Sequence, residues 1–473
     1  MLINLARTKV IATVGPASNT EEKLWELIQA GAGIFRLNFS HGSHELHQVV
    51  INLVRDINKK HGTAIALLQD LQGPKIRTGE VENNGVDLVK GQKLILTTEK
   101  VIGNAERIYT SYKSMPRDVK PGDAILIDDG NLELRVVEIK GEEITTEVIF
   151  GGKLKSKKGI NLPNTAVSEP SLTEKDREDL VFGLHNDVDW IALSFVRNSE
   201  DIKDIKRIIA EAGKKAKVIA KIEKPEALAD IDAIIEACDG IMVARGDLGV
   251  EIAMEDVPGW QKIMVKKCNQ AGKPVIVATQ MLESMITNPR PTRAEANDVA
   301  NAVIDGADTV MLSAESASGM YPREAVQSMI RIIRAVEDKM DIFHKEWPLL
   351  PSPSTHRESL IGAACKMAKD TNAKAIVGFS RTGFTARKIS SFRPTARIYI
   401  FTDNKVIFTQ LNLIWGVTAF LIDSKKTTDE TIESMNKFLL DSGLVSKGDV
   451  VINTSTMPLD SDYRTNMVKL SII

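Results

Sequence analysis

The stretch KVIAKIEKPEALADIDAIIEACDGIMVARGDLG, residues 217–249, decides the fold. It contains two short apolar runs, KVIAKI (217–222) and GIMVAR (240–245). Both runs are apolar on both faces, as expected of strands in a parallel sheet that is covered on its two sides. Parallel neighbours need a crossover connection, usually a helix, and many of the apolar runs in this chain are followed by an amphipathic helical pattern.

Six further runs of the same kind occur along the chain: KVIATV (9–14), IFRLNF (34–39), AIALLQ (64–69), WIALSFV (190–196), PVIVAT (274–279) and TVMLSA (309–314). Helical patterns lie between them. In TEEKLWELIQAG, Thr20 can cap the helix and Gly31 can end it, and in SEDIKDIKRIIAEAG we expect Ser199 and Gly213 to do the same. Eight strands in regular succession predict an α/β fold of the (β/α)8 TIM-barrel type.

The regular spacing of the strands is interrupted once. Between the third run, which ends near Leu71, and the fourth, which begins near Trp190, the chain changes to short strands with Gly and Asp turns. We interpret residues 72–167 as an inserted all-β domain and assign residues 1–71 and 168–345 to the barrel. Because such an insertion leaves from the catalytic rim of a barrel, a mobile lid that excludes water is favoured over a decorative insertion.

The segment EWPLLPSPSTH (346–356) carries three prolines and is typical of a linker. After it, apolar runs and helical patterns resume. This predicts a third domain, a small open α/β sheet over residues 356–473, with Trp415 in its core.

Composition excludes some classes of protein. Lys plus Arg number 61 and Asp plus Glu 63, so the formal charge of −2 gives no electrostatic case for binding nucleic acid or a membrane. No apolar run approaches the roughly 18 residues of a membrane span, and the first residues lack the pattern of a signal peptide. The three scattered cysteines suit buried free thiols in a reduced compartment, so we expect a cytoplasmic protein.

The ends of the predicted barrel strands are polar. Arg36, Asn38 and Ser40 alternate in RLNFS, and we expect all three to lie on one side of their strand. Lys221 and Glu223 alternate in the same way in AKIEKPE, Asp247 follows a glycine in VARGDLG, and Thr279 stands where VATQM leaves its strand. A ring of mutually satisfied ion pairs is the alternative for any single strand. Polar ends on several strands together favour a functional site at the barrel mouth.

This set of side chains suits chemistry on an anion. Glu223 and Asp247 are hard oxygen ligands that fit Mg²⁺ or Mn²⁺ better than zinc. Arg36 and Lys221 can hold an anion while negative charge moves across it, which is what phosphoryl transfer requires. A metal ion with a lysine would also stabilise an enolate. No segment matches the Walker pattern of P-loop proteins.

At the level of motifs the chain resembles the pyruvate kinase family. The segments RTKVIATVGPAS, FRLNFSHG, GPKIRTG, AKIEKPE, DGIMVARGDLGVE, ATQMLESM and MLSAESASG carry the resemblance, and they occur in order along the whole chain. The resemblance implies a glycolytic enzyme that transfers the phosphoryl group of phosphoenolpyruvate to ADP, giving pyruvate and ATP.

The same resemblance implies roles for individual residues. Lys221 would neutralise the transferring phosphoryl group and the developing enolate, and Arg36 would grip the phosphate. Glu223 and Asp247 would hold Mg²⁺, and Thr279 would lie near the carbon that is protonated. The backbone at Ala244, Arg245 and Gly246 would bind the carboxylate of the substrate. The nucleotide would be met by Thr13, Pro16, Asn38, His41, Arg77 and Lys158, although Lys158 could instead be a solvated surface cation.

Family members also hold a monovalent cation, usually K⁺, at positions that correspond to Asn38, Ser40, Asp70 and the backbone at Leu71. Members that need K⁺ generally have glutamate where this chain has Lys75, and members with lysine there tend not to need it. An ammonium group at residue 75 could take over the electrostatic role of the cation. The resemblance therefore implies activity without added K⁺.

The third domain is expected to serve regulation and assembly, since members of the family are usually allosteric homotetramers. The turn VGFSRTGFTAR has the composition of a phosphate-binding turn, and a phosphorylated effector could bind near Ser380, Thr382 and Thr385. The tail lacks the loop that marks many fructose-bisphosphate-activated members, so the identity of an effector stays open, and the turn could also be only a turn.

Two other functions stay open on the sequence alone. One is another metal-dependent barrel enzyme that acts on phosphoenolpyruvate or a ketoacid, such as a lyase or mutase. The other is a catalytically inactive protein that binds phosphorylated metabolites or serves as a scaffold. The nucleotide-facing Arg77 and the predicted lid disfavour the first, and the intact set of Lys221, Glu223, Asp247 and Thr279 disfavours the second.

Overall fold

The first part of the chain forms three strands joined by two helices. The computed structural model describes residues 6–163, 165, 167–348, 354–423, 427–458 and 464–473. Its first elements are β1 (Lys9–Thr13), α1 (Glu21–Ala30), β2 (Ile34–Asn38), α2 (His44–His61) and β3 (Ala66–Asp70). Thr20 caps α1 by accepting a hydrogen bond from the backbone N–H of Lys23, and Gly31 ends the helix, as the sequence predicts.

The insertion that follows β3 is a β structure with one short α-helix and a 3-10 helix at Glu82–Asn84. Its elements are β4 (Val86–Leu88), β5 (Lys93–Thr97), β6 (Arg107–Tyr109), α3 (Met115–Asp118), β7 (Ala124–Ile127), β8 (Leu132–Lys140), β9 (Glu143–Phe150), β10 (Gly152–Leu154) and β11 (Ile160–Asn161). Six of these strands form one sheet in the order β11-β7-β8-β9-β5-β6, and β4 pairs with β10. The insertion has an apolar core of its own. We call it the lid.

The chain then returns to alternating strands and helices. These are α4 (Glu174–His185), β12 (Trp190–Leu193), α5 (Ser199–Glu211), β13 (Lys217–Ile222), α6 (Pro225–Ala229), α7 (Ile231–Ala237), β14 (Gly240–Ala244), α8 (Arg245–Glu251), α9 (Val257–Ala271), β15 (Val275–Ala278), α10 (Arg293–Asp305), β16 (Thr309–Leu312), α11 (Ala314–Ala317) and α12 (Pro322–Lys339). The prediction that Ser199 caps α5 is wrong. Asn198 is the cap, because its side-chain oxygen accepts from the N–H groups of both Glu200 and Asp201, and Ser199 is the first helical residue.

Eight parallel strands close into a barrel in the order β1-β16-β15-β14-β13-β12-β3-β2. All eight come from the apolar runs predicted to be strands, so the TIM-barrel prediction is confirmed. The strands are buried along almost their whole length because helices cover the outside and apolar side chains such as Ile11, Leu68 and Ile276 fill the inside. The boundaries 71/72 and 167/168 stay a prediction, although β3 ends at Asp70 and α4 begins at Glu174.

The last part of the chain is an open α/β sheet, as predicted. It contains α13 (Thr355–Asp370), β17 (Ala375–Phe379), α14 (Phe384–Ser391), β18 (Arg397–Thr402), α15 (Lys405–Gln410), β19 (Val417–Leu421), α16 (Thr428–Asp441), β20 (Val450–Ser455) and β21 (Met467–Ile472). The strand order is β19-β18-β17-β20-β21, and only β21 runs antiparallel to its neighbour. Trp415 is buried in this domain. Within the predicted linker, residues 349–353 lie outside the described residues.

The lid and the C-terminal domain lie at opposite ends of the barrel. The lid leaves from the carboxyl end of β3, whereas the C-terminal domain contacts the amino ends of the strands, where Lys9 Nζ donates to the carbonyl of Val417 at 2.7 Å and Thr309 Oγ1 donates to Leu413 at 3.0 Å. All three cysteines are buried free thiols. None of the helices in the described ranges is both long and apolar enough to cross a membrane.

Candidate functional site

Asp70 joins two cations at the carboxyl end of the barrel. It is the last residue of β3 and only 1% exposed. Arg36 Nε, on β2, donates to Asp70 Oδ2 at 2.6 Å, and Lys221 Nζ, on β13, lies 3.2 Å from Asp70 Oδ1. Arg36 also donates to Thr13 Oγ1 at 3.0 Å. These contacts hold both cations in fixed positions at the mouth of the barrel.

Lys221 contacts a second carboxylate, that of Glu223. The Nζ–Oε1 distance is 2.9 Å, and the other oxygen of Glu223 accepts from the backbone N–H of Phe195 at 2.8 Å. Lys221 Nζ also donates to Ser194 Oγ at 2.6 Å, which in turn donates to the carbonyl of Leu71 at 2.7 Å. The ammonium group therefore has three oxygen partners and is held by β3, β12 and β13 together.

Asp247 and Thr279 follow the carboxyl ends of the next two strands, β14 and β15. The segment after β14 is not an open loop: it turns directly into α8, and Asp247 stands in the first turn of this helix, where the helix dipole favours a carboxylate. The N–H of Gly246 donates to Thr279 Oγ1 at 2.8 Å. The guanidinium of Arg245 points to the end of β15, where it contacts Asp298 at 2.6 Å and the carbonyl of Thr279 at 2.7 Å.

Thr279 has a strained backbone, with a φ of 69°. This left-handed region is unfavourable for a β-branched residue, and such strain persists only where the surroundings fix it, most often at functional sites. Here the contacts of Gly246 and Arg245 fix it.

The charges shift the pKa values of the central groups in opposite directions. Burial would lower the pKa of Lys221, but Asp70, Glu223 and Asp247 raise it above the usual value of lysine. Burial would raise the pKa of Asp70, but Arg36 and Lys221 bring it below the usual value. Burial raises the pKa of Glu223 and Asp247 adds to the rise, against the effect of Lys221. Lys221 is therefore protonated at neutral pH, and the Glu223–Asp247 region has an excess of negative charge.

This excess of negative charge fits a divalent cation. Glu223 and Asp247 repel each other, and a hard cation between them would remove the repulsion. No cluster of three or more His, Cys, Asp or Glu side chains with metal-binding geometry occurs in the described part of the chain. A metal ion at this position would thus have two protein carboxylates, and substrate or water would supply its other ligands.

Of the residues predicted to meet a nucleotide, His41 and Arg77 interact electrostatically, and we call the three cations that act on His41, namely Arg77, Lys75 and Arg36, the cationic rim. Burial lowers the pKa of His41, and the charges of Arg77, Lys75 and Arg36 lower it further. Pro16 is exposed in the loop after β1. Lys158 is half-buried and pairs with Asp128 of the lid at 2.7 Å, and its contact with a nucleotide stays a prediction.

The positions implied for a monovalent cation are engaged in internal contacts. Asn38 Oδ1 accepts from the N–H of Ser40 at 3.1 Å, and Asp70 and the carbonyl of Leu71 have the partners given above. Ser40 lies beyond the end of β2, so the expectation that it continues the alternation of that strand is wrong. Lys75 lines a cleft of about 1070 Å³ between the barrel and the lid, together with Asp247 and Thr279.

The turn proposed for an effector lies between β17 and α14. Ser380 Oγ accepts from the N–H of Gly383 at 3.0 Å, and Thr382 Oγ1 accepts from that of Phe384 at 3.4 Å. The hydroxyl groups of Thr385 and Thr465 contact each other at 2.7 Å. The hydroxyl groups of Ser380 and Thr382 therefore stabilise the turn itself, and that of Thr385 joins the start of α14 to Thr465.

Two residues of the site are absent from the sequence-based set. Ser194 and Phe195 follow the last residue of β12, and together they contact Lys221, Leu71 and Glu223. A Cβ on Gly73 would come within 2.7 Å of Phe195 and 2.9 Å of Ser194, so this position in the lid connection requires glycine. The rule applied to the other strands, that a polar residue ends a buried strand, would have found Ser194.

The sequence matches two family models, "Pyruvate kinase, barrel domain" over residues 5–326 and "Pyruvate kinase, alpha/beta domain" over residues 358–471. It is 44% identical to the pyruvate kinase of Geobacillus stearothermophilus over 99% of this chain and 80% of that protein, and 43% identical to the pyruvate kinase of Clostridium acetobutylicum over 99% and 100%. The crystal structure of a pyruvate kinase from Cryptosporidium parvum superposes with a TM-score of 0.92 at 38% identity, covering 99% of this chain and 96% of the other. With full-length relatives at this identity, the chain belongs to the pyruvate kinase family.

Proposed function

We propose that this chain transfers the phosphoryl group of phosphoenolpyruvate to ADP without a requirement for K⁺, in the cytoplasm and as a homotetramer. The observation that carries the proposal is the connected set Arg36–Asp70–Lys221–Glu223 at the mouth of the barrel, with contacts of 2.6–3.2 Å. Such a set places two fixed cations beside two carboxylates, which is the arrangement that moving phosphoryl charge requires.

Each side chain has a distinct role in this proposal. Arg36, held by Asp70 and Thr13, binds the phosphate. Lys221, whose pKa is raised, stays protonated and stabilises the charge that develops on the transferring group and on the enolate oxygen. The backbone of Ala244, Arg245 and Gly246 receives the carboxylate at the amino end of α8, which requires the N–H of Gly246 to exchange its partner Thr279 for the substrate. Thr279 then directs a proton, through water, to the methylene carbon.

Glu223 and Asp247 would hold Mg²⁺ or Mn²⁺, which supplies further neutralisation of the substrate oxygens. The nucleotide binds at the cationic rim formed with His41 by Arg36, Lys75 and Arg77. The remaining proposed nucleotide contacts are Thr13, Pro16, Asn38 and Lys158. The lid covers the cleft and excludes water during transfer.

The K⁺ proposal depends on Lys75. The ion pairs of Asp70 are with Arg36 and Lys221. Lys75 lines the cleft, so we expect it to act there through its charge rather than through an ion pair with Asp70. The influence of Lys75 on the pKa of His41 supports this reading.

A phosphorylated effector near Ser380, Thr382 and Thr385 is a further part of the proposal. Titration of the rate with sugar phosphates and nucleotides at subsaturating phosphoenolpyruvate tests it. A rate that no compound changes would contradict it.

Product analysis tests the reaction itself. The full chain is incubated with phosphoenolpyruvate and Mg²⁺, with and without ADP, and pyruvate and ATP are quantified. We expect equal amounts of both products, and only with ADP. Conversion of phosphoenolpyruvate without ADP would favour a lyase or mutase, and no conversion would favour an inactive binding protein.

A further inference from the structure

A buried contact joins the lid to the barrel behind the candidate metal ligands. Asn161 Nδ2, on β11 of the lid, donates to Glu251 Oε1 at 2.9 Å. Lys224 Nζ lies 2.9 Å from the same oxygen. Glu251 is 3% exposed and Lys224 is 7% exposed. A carboxylate buried this deeply is held by both partners, since an unpaired charge in the interior is strongly unfavourable.

The two barrel residues of this contact, Lys224 and Glu251, each lie close in sequence to one of the two carboxylates proposed as metal ligands. Lys224 directly follows Glu223. Glu251 lies four residues after Asp247 on α8, so the two carboxylates share one face of this helix. A shift of Glu251 or Lys224 therefore changes the position of Asp247 or Glu223.

Asn161, the lid residue of this contact, is connected through a neighbouring strand to the part of the lid that lines the cleft. Asn161 pairs with Leu126 of β7, and β7 leads into Asp129 at the edge of the cleft. The lid connection is a narrow antiparallel pair, in which the N–H of Thr78 donates to Lys158 and that of Ile160 donates to Ile76. Asn161 stands at the barrel end of this pair.

Glu251 also has an unused acceptor. Its second oxygen, Oε2, is buried and has no hydrogen-bond partner within the described residues. Glu251, Lys224 and Asn161 line a cavity of about 30 Å³ together with Asp247. This volume is enough for one or two water molecules, which need polar partners such as this oxygen.

We infer that Glu251 is a positioning residue, which couples the lid to the two carboxylates of the metal site through Asn161 and Lys224. The inference rests on the proposed function, because it assumes that Glu223 and Asp247 bind the metal. A movement of the lid then changes the geometry of both carboxylates, and binding at the carboxylates restrains the lid.

Mn²⁺ affinity of the full chain without substrates tests the coupling. Free Mn²⁺ is measured by electron paramagnetic resonance for the wild type, Asn161→Ala and Glu251→Gln. We expect Glu251→Gln to weaken binding by about tenfold or more, as loss of groups behind metal ligands does. Asn161→Ala, which keeps the Lys224–Glu251 pair, should weaken binding in the same direction by a smaller factor, and the double variant should bind no more weakly than Glu251→Gln.

Hydrogen exchange supplies a second readout. In Asn161→Ala, amide exchange should accelerate both in residues 158–163 of the lid connection and in α8 (Arg245–Glu251). A purely structural contact would accelerate exchange in the lid connection alone. The control is Asn104→Ala, which removes an asparagine whose side-chain oxygen accepts from Glu106 and Arg107 at another turn of the lid. It should leave Mn²⁺ affinity unchanged.

Glu223→Gln separates the two hypotheses. If this variant binds Mn²⁺ as tightly as the wild type, the proposed metal site and the coupling are both wrong. If Glu223→Gln weakens binding while Asn161→Ala leaves the affinity and the exchange of α8 unchanged, only the coupling is wrong. Should Glu251→Gln fail to fold, Asn161→Ala decides alone.

Discussion

At the residue scale, Asp70 has the most consequential position in the site. The family resemblance implies a monovalent-cation position that includes Asp70, and the ion-pair partners of Asp70 are Arg36 and Lys221, two cations fixed to the protein. A buried carboxylate between two cations stays ionised and holds both in place. In this structure the positive charge in contact with Asp70 comes from Arg36 and Lys221.

Lys75→Glu should create a dependence on K⁺. The substitution places a carboxylate in the cleft where an ammonium stood, so a free cation becomes favourable there. We expect KCl to raise the rate of the variant by about tenfold or more, and to leave that of the wild type nearly unchanged. Initial rates at saturating substrates, with tetramethylammonium chloride at equal ionic strength, provide the measurement.

Two further observations check that prediction. The pKa of His41 should rise in Lys75→Glu, because Lys75 is one of the charges that lower it, and a histidine titration by NMR would detect the change. Lys90→Glu, an exposed position in the lid, should show no K⁺ effect. A wild type that KCl stimulates tenfold would contradict the tethered-cation account.

Functional residues could be predicted from the sequence where they occupy the end of a buried strand. Lys221, Glu223 and Thr279 stand at the ends of buried strands, and that position alone singled them out. The partners of Glu251 could not be found in this way, because Asn161 and Glu251 are 90 residues apart and meet only through the arrangement of lid and barrel. Nothing in the local sequence distinguishes Lys224 from a surface lysine.

At the scale of elements, α8 is a helix that hydrophobic periodicity in the sequence does not reveal. The helix has only seven residues and begins directly after β14, so it is too short to show an amphipathic pattern. The eight barrel strands were predictable because each is a compact run buried on both faces. The cap of α5 was misplaced by one residue because Asn198 and Ser199 are both good capping residues and their geometry decides between them.

The first strand contains a buried lysine that predicts a pH dependence of stability. Burial lowers the pKa of Lys9 from an ordinary 10.5 to about 8, and Arg397 contributes to the lowering against Glu337. Between these two pH values the unfolded chain binds more protons at this position than the folded chain, so stability rises with pH. The melting temperature of the wild type minus that of Lys9→Met should therefore increase between pH 8 and pH 10.5.

Differential scanning fluorimetry across this range provides the measurement. Other groups that titrate in it are common to both proteins and cancel in the difference. A difference in melting temperature that is constant with pH would show that Lys9 keeps an ordinary pKa in the folded chain.

At the scale of the whole molecule, the barrel separates the candidate site from the C-terminal domain. Its carboxyl end carries the candidate site and the lid, and its amino end carries the C-terminal domain. Arg393 joins the C-terminal domain to the barrel. It is 2% exposed, pairs with Asp308 of the barrel at 3.1 Å and donates to the side-chain oxygen of Asn269 at 2.8 Å. This arrangement of three domains could be predicted from the interruption of the strand pattern, whereas the contact between Arg393 and Asp308 could not, because the two residues lie 85 positions apart.

Arg393→Met should destabilise the protein by about 3–5 kcal/mol, because it leaves Asp308 buried without its cation. Equilibrium unfolding by urea, followed by circular dichroism, measures the loss. Lys366→Met removes a lysine from an exposed pair with Asp370 and should change the free energy of unfolding by less than about 0.5 kcal/mol. Equal effects of both substitutions would contradict the assigned importance of the buried pair.

The most direct test of the central claim compares two lysines on the same strand. Lys221 stands at the carboxyl end of β13 among Asp70 and Glu223, and Lys217 stands at the amino end of the strand near Asp239. In an assay of pyruvate formation from phosphoenolpyruvate, ADP and Mg²⁺, we expect Lys221→Met to lower kcat/KM by at least about a hundredfold and Lys217→Met to leave it nearly unchanged. A Lys221→Met variant with the kcat/KM of the wild type would contradict the account.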